Sequence, residues 1–134
     1  MKVYLAKTAG FCFGVNRAVE LVERSVQSGK KTATLGPIIH NHHVMDRFRT
    51  MGVREISDAP QAQKDEVVVI RSHGVAKSVY EALERAHIAY IDATCPFVER
   101  IHLLVQQAEG EGRQPIIIGQ HHHPEVEAIA GWCS

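Results

Sequence analysis

Val67-Val68-Val69-Ile70-Arg71-Ser72-His73-Gly74-Val75 is the stretch on which the fold turns. Four consecutive β-branched residues match a strand buried on both faces, as in a parallel sheet whose helices cover both sides. The run then breaks into a polar turn, and Ser78 with Glu81 fits a capping box for a helix burying Val79, Leu83 and Ala86. The same strand–turn–helix unit repeats to either side. Upstream, Thr32 to Leu35 is a strand broken by Gly36-Pro37, and Asn41 can cap a helix carrying Val44, Phe48 and Met51, closed by Gly52. Val53 to Ile56 reads as a short strand, and Ser57 to Asp65, with Pro60, as a polar connection. Further upstream, Val3 to Ala6 is predicted as a first strand, followed by Gly10-Phe11-Cys12-Phe13-Gly14. Val15, Ala18, Val19, Val22 and Val26 then repeat at helical spacing up to the terminator Gly29. Downstream, Ala89 to Asp92 is a strand leading into Ala93-Thr94-Cys95-Pro96. Pro96 suits the first helical position, which makes Cys95 the N-cap of a helix burying Val98, Ile101, Val105 and Ala108 and ending near Gly110. Pro115 to Ile118 is predicted as a strand, and Pro124 opens a helix through Val126 and Ile129. Strands alternating with helices of this length specify an α/β fold of right-handed βαβ units on a parallel sheet.

Composition narrows the class. With 134 residues, 45% hydrophobic and 22% charged, the chain can build a real core. Fifteen basic residues balance fifteen acidic ones, so net charge points to neither nucleic acid nor membrane. No run of about 18 apolar residues occurs, and the opening Met1 to Ala6 is too short for a signal peptide, which together suggest a cytoplasmic protein. Three cysteines without a secretory signal favour ligand or catalytic roles over a disulfide framework.

Five of the predicted strand-leaving turns carry a cysteine or a histidine: Cys12, His40, His73, Cys95 and His123. In an open α/β sheet such turns line the carboxyl edge, where ligands bind. Helix N-termini there attract anions and favour thiolates. Each residue also has an ordinary reading: a small buried cysteine, an N-cap, or a histidine that stabilises its own turn. Their joint placement is what favours a soft-metal site beside an anion pocket. His42, His43, His121 and His122 are expected to be solvent or surrounding residues, and His87 and His102 to be surface positions within helices. Closely spaced zinc-ribbon pairs and a Cys-x-x-Cys redox motif are both missing. Three chemistries remain open on these residues: an iron–sulfur centre, a metal- or thiol-dependent hydrolase, and a non-catalytic module that binds phosphorylated metabolites.

The motifs Gly10-Phe11-Cys12-Phe13-Gly14-Val15-Asn16-Arg17-Ala18, Ile39-His40-Asn41, Ser72-His73-Gly74-Val75, Asp92-Ala93-Thr94-Cys95-Pro96 and His123-Pro124-Glu125-Val126-Glu127 resemble, in order and spacing, the 4-hydroxy-3-methylbut-2-enyl diphosphate reductases. The resemblance runs along the whole chain. It implies three similar α/β domains in pseudo-threefold arrangement around a [4Fe–4S] cluster. Of these, residues 1–94 would be the first domain and residues 95–134 the incomplete beginning of the second. It further implies Cys12 and Cys95 as cluster ligands, His40, His73 and His123 as contacts to an allylic diphosphate, and Glu125 as proton donor. Electrons would come from an external donor such as ferredoxin or flavodoxin, and the products would be isopentenyl and dimethylallyl diphosphate. The third cluster cysteine of that family has no counterpart here, and Cys133 matches no motif and reads as incidental. On this resemblance the chain alone is expected to be inactive.

Overall fold

The computed structural model describes residues 1–133. The elements run α1 (Phe13–Gln27), β1 (Lys31–Leu35), α2 (His42–Thr50), β2 (Arg54–Ile56), a 3-10 turn (Ala59–Gln61), β3 (Glu66–Ile70), α3 (Lys77–Arg85), β4 (Ala89–Asp92), α4 (Pro96–Gly110) and α5 (Pro124–Ala130). The four strands form one parallel sheet in the order β2-β1-β3-β4. The strand order therefore reverses between β1 and β3, a switch point of the kind that leaves a crevice at the carboxyl edge.

The β-branched run of β3 lies at the centre, with Val68, Val69 and Ile70 fully buried. Val69 faces one core with Ala18 and Val22 of α1 and Met45 and Phe48 of α2. Val68 and Ile70 face the other core with Ala33, Leu35, Ile56 and Leu83. The side chains of a strand alternate across the sheet, so one run of apolar residues serves both layers.

Beyond the last strand pairs the turns stay zipped together. Ser72 donates from its backbone N–H to Ile38 O at 3.4 Å, and Cys95 donates to Ser72 O at 2.9 Å. The order of the strands is thus carried one layer further, to the residues beside His40, His73 and Cys95.

Several expectations are corrected. Residues 3–6 form no strand; Val3, Tyr4 and Leu5 are 81%, 85% and 86% exposed. Residues 115–118 likewise form none, with Ile116 85% and Ile118 95% exposed. Neither segment lies alongside another strand, and an isolated extended segment leaves its backbone groups to water. Helix α3 begins at Lys77 with Ala76 as N-cap, so the Ser78–Glu81 capping box does not form. In α4 the buried residues are Val98 and His102, while Ile101, Leu103 and Leu104 are exposed. His102 is therefore a core residue and not a surface one. His87 lies just past α3 with φ 56°, a left-handed conformation that histidine tolerates better than most residues.

Candidate active site

The carboxyl edge is assembled from the turns after β1, β3 and β4. In the first, Ile38 and Ile39 are buried and anchor the turn, which leaves His40 at the surface. Asn41 then caps α2, its side chain accepting from the Val44 N–H at 3.2 Å. In the second, Ser72 is buried and also donates its hydroxyl to Ile38 O, while His73 is half-buried between it and Gly74. The His40 and His73 rings are 4.8 Å apart. His123, the N-cap of α5, completes the triangle at 5.8 Å from His73 and 6.4 Å from His40.

His123 Nδ1 accepts a hydrogen bond from the Glu125 backbone N–H at 3.2 Å. This bond fixes the neutral tautomer: the ring proton sits on Nε2, free to donate elsewhere. His73 is governed by burial. Desolvation, then the neighbouring His40, Arg71 and His123, hold its pKa down to about 4. His73 is therefore a neutral N–H donor near neutral pH, and its Nδ1 is buried without a hydrogen-bond partner. An imidazole that refuses a proton makes folding pH-dependent. Between the ordinary 6.5 and about 4 the unfolded chain binds a proton that folded His73 does not, so stability falls as pH drops through that window. Urea denaturation across the window should show the loss, and His73→Gln should flatten it. An unchanged slope in the variant would assign the acid sensitivity elsewhere.

The two motif cysteines are free thiols at helix N-caps, Cys12 before α1 and Cys95 before α4. Neither side chain makes a capping hydrogen bond. Their turns meet at Gly14, where a Cβ would stand 2.6 Å from Cys95 Sγ and 3.0 Å from Cys95 Cβ. The Cys95 sulfur thus rests on the first turn of α1, against the backbone two residues beyond Cys12. Arg17 locks the contact from α1, donating to Thr94 O at 3.1 Å and Asp92 O at 3.2 Å. Asp92 shapes the same turn, one oxygen accepting from the Thr94 N–H and the other from the Tyr80 hydroxyl.

A cavity of about 230 Å³ links the two halves of this edge. It is lined by Phe11 and Val15 from the Cys12 side and by Ile39, His40, Asn41, Ser72 and His73 from the imidazole side. Glu125 lines a different cleft, where His123 is its neighbour along with Ile101, Ile117 and Val126. A cleft of about 310 Å³ beside Pro60 and Val79 has neither thiol nor imidazole on its walls. Among the described residues, no group of three or more His, Cys, Asp or Glu side chains is arranged to hold a metal ion. Among the described residues no helix is long and apolar enough to cross a membrane.

Sequence reasoning anticipated the imidazole triangle and the two capping thiols. The contacts of Arg17 with Thr94 O and Asp92 O and of Trp132 with Val75 O join residues more than 50 positions apart, and no local signal in the sequence marks them. His102 was assigned to the surface, although its spacing of four from Val98 puts the two on one side of α4.

The family described as LytB protein matches residues 3–134. The 4-hydroxy-3-methylbut-2-enyl diphosphate reductase of Geobacter sp. (strain M21) is 42% identical over 134 residues, covering 100% of this chain and 47% of the relative. The protein of that name from Alkaliphilus oremlandii is 44% identical over 135 residues, covering 99% and 48%. The chain spans about half the length of the curated relatives it matches. Among solved structures, the E-1-hydroxy-2-methyl-but-2-enyl-4-diphosphate reductase of Plasmodium falciparum superposes with TM-score 0.89 at 30% identity. That match covers 96% of this chain and 41% of the other.

Proposed function

The chain belongs to the LytB protein family, and from that premise we propose that it forms part of a reductase that removes the hydroxyl group of 4-hydroxy-3-methylbut-2-enyl diphosphate. Two electrons and two protons would convert the allylic alcohol into isopentenyl or dimethylallyl diphosphate, with the hydroxyl oxygen leaving as water. An iron–sulfur cluster, when bound, supplies electrons and a Lewis-acidic iron. The electrons would come from a carrier such as ferredoxin or flavodoxin, in the cytoplasm.

Cys12 and Cys95 are the residues of this chain that would hold the cluster. The observation that carries the reading is the Gly14 contact: a missing side chain lets one capping thiol lie against the turn that bears the other. Two thiolates are fewer than a cluster needs, so a further ligand would come from the part of the family length that this chain does not span. The proposed division of labour follows. Residues 1–94 form the first domain, and residues 95–134 begin the second. Alone, the chain is proposed to be inactive.

The remaining roles fall to side chains at the cavity and at the cleft that His123 and Glu125 line. His73, uncharged, and His123, with its proton on Nε2, donate N–H groups to the diphosphate, and His40 adds a third imidazole. Asn41 keeps the N-terminus of α2 aimed at the same edge, where an anion is favoured. Glu125 holds the proton that is delivered to the allylic fragment.

Anaerobic reconstitution with iron and sulfide, on this chain completed to family length, tests the reading. The expected product is brown, and Cys12→Ser or Cys95→Ser should remove the colour. Colour that persists in both variants rejects the cluster assignment. A colourless protein whose activity is lost to a thiol alkylator would be a hydrolase instead.

A further inference from the structure

One buried histidine has no part in the site as proposed. His102 lies two turns along α4 from Cys95 and is 2% exposed. Its Nε2 is buried without a hydrogen-bond partner, and burial lowers its pKa against the opposing pull of Asp92. An unpaired buried polar atom costs free energy, so hydrogen bonding does not explain the ring's position. Shape does. The flat imidazole fills the space left open at Gly74, where a Cβ would stand 2.6 Å from His102 Cε1. Gly74 itself has φ +72°, which a side chain would also strain.

Trp132 closes the other side of the ring. The indole stacks on His102 with centroids 5.0 Å apart and planes 14° from parallel, and it meets Tyr80 edge-on at 5.6 Å. Its Nε1–H donates to Val75 O at 2.8 Å. The segment Ser72–Val75 is therefore held at three points. Cys95 binds the first residue through its backbone N–H, His102 fills the space under the third, and Trp132 binds the fourth. The remaining residue of the segment is His73, whose ring lines the cavity.

We infer that His102 and Trp132 are positioning residues, which fix the turn of His73 against the N-terminal end of the helix capped by Cys95. They touch no substrate. Their effect is to keep the imidazole and the thiol at a set separation, so that a ligand spanning from diphosphate to metal meets both. The inference rests on the assignment of His73 to the diphosphate.

The test uses His102→Ala and Trp132→Phe in the full chain, with three readouts: the His73 titration by NMR, the affinity for inorganic diphosphate, and the thermal midpoint. His40, Arg71 and His123 are the charged or titratable groups that face His73, and none of them is altered. A loosened turn admits water, so both variants should raise the His73 midpoint from about 4. Diphosphate binding should weaken roughly ten- to a hundredfold. Gly74→Ala should weaken it too, and by much less when His102→Ala has removed the ring it collides with. A lowered thermal midpoint with an unmoved His73 titration in both variants would overturn the inference, because packing alone would then explain the stack. Should His102→Ala fail to fold, Trp132→Phe decides by itself, since it keeps an aromatic ring while losing the N–H donor and the second fused ring. Wild-type protein that does not bind diphosphate, with variants that still shift His73, would sink the diphosphate assignment and leave the positioning role standing.

Discussion

Gly14→Ala is expected to abolish iron–sulfur binding in the completed protein and to lower its stability by about 1–3 kcal/mol. The sign is the informative part. An added methyl group in a helix ordinarily helps, since alanine is favoured over glycine there by up to about 1 kcal/mol. Here the new Cβ would stand 2.6 Å from Cys95 Sγ and 3.0 Å from Cys95 Cβ. A sulfur can swing aside about one bond; its Cβ cannot, because it is attached directly to the backbone at the N-cap of α4. Relief therefore requires α1 and α4 to part at their N-termini, which is the separation that a shared metal group would have to bridge. It also strains the Arg17 hydrogen bonds to Thr94 and Asp92. Iron content after reconstitution and a denaturant midpoint measure the two effects. A variant that is more stable than wild type and fully loaded would show that the Cys95 sulfur does not need that surface of α1.

The second large effect is expected at Glu125. Glu125→Gln should lower kcat by about a hundredfold to ten-thousandfold, the usual contribution of a positioned acid, with affinity for the substrate nearly unchanged. The structure makes this substitution a clean one. The bond that orients His123 uses the backbone N–H of residue 125, so the amide side chain leaves the imidazole where it was. Steady-state kinetics with separate measurement of binding distinguishes the roles. Equal losses in turnover and affinity would make Glu125 a binding contact and reject it as proton donor.

The parts of the fold that sequence reasoning recovered are those whose signals are local. The β-branched run of β3 and the Asn41 cap of α2 carry their own explanation, as does Pro96 after Cys95. What it missed depends on partners. Val3 to Ala6 and Pro115 to Ile118 have strand composition, yet a strand exists only where a second one offers a ladder. Helix α4 shows the same limit. Its apolar residues outnumber what the neighbouring elements cover, and a histidine took the buried side because Gly74 and Trp132 shape a flat slot for it. His40 and His73 were legible as strand-end residues, whereas His123 follows no strand and reaches the same edge as the N-cap of α5. The low pKa of His73 was not legible, since it arises from burial and from rings brought together across the sheet.

The chain has a single tryptophan, and it is the residue that stacks on His102 and bonds to Val75 O. Excitation at the red edge of the indole band, where tyrosine does not absorb, therefore illuminates one locus in this chain, the underside of the Ser72–Val75 turn. Its fluorescence carries no background from a second indole, so emission intensity follows the state of that turn without an attached dye.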